Sequence, residues 1–85
     1  MLKGKRAVIT GGGRGFGQAL CVWLAREGVE VDFSARRAED IEKTCGIITA
    51  EGGIARGYLC DLAQPESLSH FSDRLLASEK PIDML

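Results

Sequence analysis

The sequence predicts a doubly wound parallel α/β sheet. Three observations carry that expectation: short apolar runs that stop at glycine, helical stripes between them, and connections short enough to demand right-handed crossovers. The first run, 5–10 (KRAVIT), is apolar and partly β-branched and ends at glycine, as a buried strand does. From Phe16 the apolar residues fall at Phe16, Ala19, Leu20, Trp23 and Leu24, the i, i+3, i+4, i+7, i+8 stripe of a helix with one buried face. Gly28 stands where a helix-terminating glycine belongs. Residues 29–34 (VEVDFS) alternate strictly, with Val29, Val31 and Phe33 on an apolar face and Asp32 turned away from it, and predict a second strand. A helix over 38–51 follows, with Ile41, Thr44, Cys45 and Ile48 inward. Gly46 within it costs about 1 kcal/mol relative to alanine, and Gly52-Gly53 breaks it. Residues 54–59 (IARGYL) form a weaker third strand signal. Pro65 occupies the first turn of a third helix, whose stripe is Leu68, Phe71, Leu75 and Leu76. Pro81 ends that run, and 82–85 (IDML) reads as the opening of a fourth strand.

Eighty-five residues suffice for one small domain, which buries only about 60–65% of its unfolded surface. With 45% hydrophobic residues, 27% charged residues and a net charge of −1, nothing electrostatic favours a nucleic-acid or membrane partner. No run has signal-peptide or membrane-spanning length, so the expected location is cytoplasmic. Cys21, Cys45 and Cys60 make no CxxC pair and no metal-ligand spacing. They are expected to be reduced thiols, with no metal site. The chain stops inside an apolar strand signal, so it is expected to be truncated there, and an exposed fourth-strand edge would favour self-association.

The most informative stretch is AVITGGGRGFGQAL, in which five glycines occupy seven consecutive positions between a strand and a helix. A P-loop would need GxxxxGK[ST], but Gln18-Ala19 follows Gly17, so both the lysine and the hydroxyl are missing. The GxGxxG fingerprint, started at Gly11, would place its third glycine at Phe16, whose ring prevents the close helix–strand contact that glycine provides. The remaining frame is Thr10-Gly11-x-x-x-Gly15-x-Gly17. In it Gly11, Gly15 and Gly17 are the working glycines and Gly12 and Gly13 are spacers. Its alternative is a tight turn without a ligand.

On this TGxxxGxG spacing at a first strand-to-helix turn, the sequence resembles the short-chain dehydrogenase/reductase family. The resemblance implies a Rossmann-like sheet of order 3-2-1-4, of which residues 1–85 are the N-terminal, cofactor-binding part. Glycines there let the backbone approach a pyrophosphate, and the N-terminus of the helix at Phe16 directs N–H groups toward it. It also implies that Asp61 receives the adenine amine and that Leu62 lies against the ring; the plainer alternative is that Asp61 caps a turn. The segment 81–85 is similar to the strand that, in this family, leads into an Asn-Asn-Ala-Gly turn.

Cofactor choice turns on the end of the second strand, where an acidic residue would bind both ribose hydroxyls and repel a 2′-phosphate. That position is Ala35, followed by Arg36 and Arg37. In this family a basic residue just before the second motif glycine often accompanies NADP preference, so the resemblance implies that Arg14 meets Arg36 across a 2′-phosphate, with Ser34 adding a hydroxyl. The pattern favours NADP(H) over NAD. The competing reading of Arg36 and Arg37 is a solvated turn beside Glu39 and Asp40.

The family's hydride-transfer chemistry belongs to a serine, a tyrosine with a lysine four residues later, and an asparagine. None of these is carried by the present residues: Tyr58 is followed four positions later by Leu62, and lone His70 reads as surface or edge packing. The expectation is an NADP(H)-binding segment of an oxidoreductase without catalytic residues of its own. The alternative is a non-catalytic nucleotide-binding or interaction module.

Overall fold

A computed structural model describes residues 3–61 and 64–76 of the chain. The element order is β1 (Arg6–Ile9), α1 (Gly15–Arg26), β2 (Glu30–Ala35), α2 (Ala38–Ala50), β3 (Ala55–Leu59) and α3 (Pro65–Leu76). The strands form a parallel sheet with β2 between β1 and β3. This is the 3-2-1 portion of the expected order; the fourth strand expected over 82–85 lies outside the described residues. Pro65 opens α3 as its sequence position predicts, because a first-turn residue has no helical acceptor for the N–H that proline lacks.

Both long connections end in the same device. After α1, Gly28 takes φ +87°, its N–H reaches the Ala25 carbonyl at 3.1 Å, and the Val29 N–H reaches the Leu24 carbonyl at 3.1 Å. After α2, Gly52 takes φ +83°, with its N–H on the Thr49 carbonyl and the Gly53 N–H on the Ile48 carbonyl, both at 3.0 Å. These paired bonds satisfy the last helical carbonyls and turn the chain back into the sheet.

The core has two layers. Ala7, Val29, Val31, Phe33 and Ala35 of the sheet region pack with Cys21 and Leu24 of α1 and Ile48 of α2. On the opposite face Val8, Cys60 and Phe71 form a smaller cluster with Tyr58. Helices therefore cover both faces, as the doubly wound prediction requires.

One expectation about burial is corrected. The stripe Phe16, Ala19, Leu20, Trp23, Leu24 is only in part the inner face of α1: Leu24 is buried and Leu20 packs against the core, but Phe16 is 83% and Trp23 52% exposed, and Cys21 is buried in their place. The cause is Gly17, where a Cβ would overlap the Gly11 carbonyl oxygen. That contact lays the helix directly on the loop and turns Gly17, Cys21 and Leu24 inward. Asp32 lies on the face opposite Val31 and Phe33, as its alternation predicts, and that face is covered too. It is fully buried, because the Arg6, Arg56 and Tyr58 side chains of the flanking strands close over it.

Asp32 survives there because its neighbours are cations and a hydroxyl. Arg6 Nε donates to Oδ2 at 2.5 Å, Arg56 Nε to Oδ1 at 2.7 Å, and the Tyr58 hydroxyl to Oδ1 at 2.9 Å. Arg56 also reaches Glu30 at 3.3 Å. The strand register explains the meeting: Asp32 pairs with Val8 and Arg56, so Arg6 and Tyr58 lie two residues along the same face. Tyr58 thus serves both this network and the packing against α3. Its ring is tilted against Phe71 at 5.4 Å, and Arg74 lies over it at 5.2 Å.

Candidate dinucleotide-binding site

The site is built at the carboxyl ends of β1 and β2, where open parallel sheets place their ligands. The loop leaving β1 takes left-handed conformations at Gly11 (φ +73°) and Gly15 (φ +55°), which only glycine adopts without strain. Gly12 and Gly13 are not spacers, contrary to the sequence expectation. Both are buried; a Cβ on Gly12 would stand 2.7 Å from the Phe33 Cβ and 2.8 Å from the Cys21 sulfur. One on Gly13 would stand 2.8 Å from the Asp40 Cβ and 2.9 Å from the Ala35 Cβ. The loop therefore needs glycine at four positions for contact or conformation before Gly17 adds a fifth.

Side chains from β2 and α2 anchor this loop from behind. The Gly11 N–H donates to Ser34 Oγ at 3.1 Å, and the Gly12 N–H to the Ser34 carbonyl at 2.9 Å. Thr44 Oγ1 donates to the Gly12 carbonyl at 3.2 Å and accepts from Gln18 Nε2 at 3.2 Å. Ser34, expected to contribute a hydroxyl to a phosphate, is buried and holds the loop instead. Thr44, expected only as an inward-facing residue, makes a buried polar link between α2 and the loop. The cysteine under the loop is inert: burial, with Cys45 nearby, pushes the Cys21 thiol up to about 12.

In front of the loop lie two depressions that share Gly11. One, of about 230 Å³, is lined by Gly11, Gly13, Arg14, Ala35, Arg36, Arg37 and Asp40. The other, of about 410 Å³, is lined by Val8, Ile9, Thr10, Gly11, Phe16, Gly17 and Leu20. Between them α1 begins without a capping side chain and without an acidic residue in its first turn, so its orphan N–H groups and positive dipole end are left for an anion. A charged wall, an anion-receptive turn and an apolar wall follow one another across the sheet.

The charged wall brings together the arginines picked out by the sequence. Arg14 Nε lies 3.3 Å from Asp40 Oδ2, and Arg37 is 3.6 Å from Glu39 on the outer surface. Arg36 is exposed and makes no ion pair among the described residues. Asp61 stands apart from both walls; it is half-buried, and its carbonyl accepts the Gln64 N–H at 2.9 Å. Leu62 lies outside the described residues. His70 is exposed, and no cluster of three metal-ligating side chains occurs among the described residues. No helix among them is long and apolar enough to cross a membrane.

Residues 5–85 match the family model for short chain dehydrogenase. The sequence is 39% identical over 75 residues to a probable 2,4-dienoyl-CoA reductase 3 of Caenorhabditis elegans, covering 87% of this chain and 24% of that protein. A metagenomic short-chain oxidoreductase solved in complex with NADP superposes with a TM-score of 0.89 at 34% identity, over 98% of this chain and 38% of that one. An NAD+-bound xylitol dehydrogenase superposes with a TM-score of 0.88 at 28% identity, over 98% and 32% of the two chains. The chain thus spans roughly a quarter to two fifths of the proteins it resembles.

Proposed function

The chain belongs to the short-chain dehydrogenase family, and on that premise we propose that it is the NADP(H)-binding part of an oxidoreductase that moves a hydride between nicotinamide and a carbonyl or alcohol. The observation that carries the cofactor assignment is the wall at the end of β2. Three arginines line it against one carboxylate, and Ala35 stands where an acidic residue would have excluded a 2′-phosphate.

In this reading the glycine loop and the start of α1 receive the pyrophosphate through backbone N–H groups. Arg14 and Arg36 receive the 2′-phosphate. The apolar depression beside Phe16 and Leu20 takes the cofactor's nicotinamide half, the part that supplies or accepts the hydride. Asp61 and Leu62 would meet the adenine. Ser34 and Thr44 touch no ligand; they hold the loop in the shape that does. The substrate and the residues that exchange a proton with it belong to the whole protein.

Titrating the purified protein with NADPH and with NADH, read by quenching of tryptophan fluorescence at Trp23, tests the assignment. NADPH is expected to bind at least about tenfold more tightly, since a charge-assisted hydrogen bond contributes about 1.5–3 kcal/mol. Equal affinities, or tighter NADH, would remove the NADP(H) preference. Binding of neither would favour an interaction module without a cofactor.

A further inference from the structure

We propose that Asp40 is a specificity-determining residue: it is the resident counter-ion of Arg14 and weakens the hold of the arginine wall on a 2′-phosphate. The inference rests on the dinucleotide reading above and names what tunes it.

Asp40 lines the same depression as Arg14, Arg36 and Arg37, and its Oδ2 lies 3.3 Å from Arg14 Nε. The pair is unequal. The Asp40 side chain is 18% exposed and that of Arg14 65%, so the carboxylate is the fixed member and the guanidinium the adjustable one. Packing fixes Asp40, whose Cβ abuts the glycine loop so closely that Gly13 has no room for a side chain. Its place in the first turn of α2 also suits a carboxylate, since the positive end of the helix dipole lies there. Glu39, the neighbouring acid, is different: its side chain is 74% exposed and pairs outward with Arg37.

A 2′-phosphate entering this wall carries about −1.5 to −2 charges. It must take Arg14 from Asp40 or share it, and in either case it stands near a carboxylate it repels. A cofactor that presents only a 2′-hydroxyl meets neither penalty. Asp40 therefore narrows the gap between the two cofactors and leaves Arg36 to supply most of the discrimination.

The test is Asp40→Asn, which keeps the contact with Gly13 and removes the charge. NADPH and adenosine 2′-monophosphate are expected to bind about three- to fivefold more tightly, the range of an exposed ion pair released from competition, with NADH changed by less than about twofold. In an Arg14→Gln background the gain from Asp40→Asn should be smaller, since only the direct repulsion by the carboxylate is then left to relieve. Weaker NADPH binding by Asp40→Asn would overturn the proposal and make Asp40 a support for Arg14. Equal shifts for NADPH and NADH, or a gain undiminished in Arg14→Gln, would overturn it as well. If the unaltered protein binds both cofactors and Asp40→Asn leaves their ratio unchanged, only this inference fails; if it binds neither, the dinucleotide reading fails with it.

Discussion

Arg6 and Asp32 form an ion pair at 2.5 Å between side chains that are 1% and 0% exposed, in the middle of the sheet that carries the glycine loop. Asp32 is shared with Arg56 and Tyr58, and no buried side-chain nitrogen or oxygen among the described residues is left without a partner. A satisfied network of this kind is worth little over an apolar core, but losing one member exposes the rest to the full cost of burial. Replacing Asp32 with asparagine leaves two arginines facing a neutral amide. Asp32→Asn is expected to lower unfolding free energy by about 3–5 kcal/mol, measured by denaturant titration. A loss under about 1 kcal/mol would show that the network does not hold the sheet.

The same carboxylate makes stability depend on pH. Burial alone would raise the Asp32 pKa, but hydrogen bonds from Arg56, Arg6 and Tyr58 and the charge of Arg56 outweigh it, and the net shift is downward. The folded state thus favours the ionised form. Its contribution is fully present above the unfolded value of about 3.9 and is lost as pH falls from there through the lower folded pKa. Acid titration followed by circular dichroism should show stability falling with pH in that window. In a protein carrying Asp32→Asn the slope there should be shallower, and an unchanged slope would assign the acid sensitivity elsewhere.

Glycines at two positions should respond in opposite directions. A methyl group on Gly17 would overlap the Gly11 carbonyl oxygen, and both partners are backbone, so the helix must move off the loop. Gly17→Ala is expected to cost about 1–3 kcal/mol and to weaken binding of both cofactors. A methyl group on Gly46, within α2, would meet nothing within 4 Å, and the residue has no positive φ. Gly46→Ala should add about 0.5–1 kcal/mol. Thermal melts of the two variants check both signs.

What the sequence revealed was local. The order of elements, the glycine frame, the terminating roles of Gly28 and Gly52 and the first-turn position of Pro65 depend on neighbours within a few residues. What it concealed was set by pairing. Asp32 alternates away from Val31 and Phe33 as a solvent-facing residue would, and only the register with Arg6 and Arg56 shows that its face is covered. The rotation of α1 escaped for a related reason: Phe16 and Trp23 outweigh Gly17 and Cys21 in any count of apolar residues, but close contact with the loop decides the face. At the candidate site, the sequence singled out Arg14, Arg36 and Arg37 by position, and the structure brings them to one depression. The loop-holding roles of Ser34 and Thr44 and the contact of Asp40 with Gly13 depend on β2, α2 and the loop meeting in three dimensions.

If arginines at the end of β2 read a 2′-phosphate, Arg36 should matter most, since it is the one without a carboxylate partner among the described residues. The decisive quantity is the dissociation constant of NADPH and of NADH for Arg36→Gln beside the unaltered protein. NADPH binding is expected to weaken about 10- to 100-fold, the loss of one charge-assisted contact, with NADH binding changed by less than about twofold. Equal losses for both cofactors, or no loss for NADPH, would contradict a phosphate-reading role for this wall.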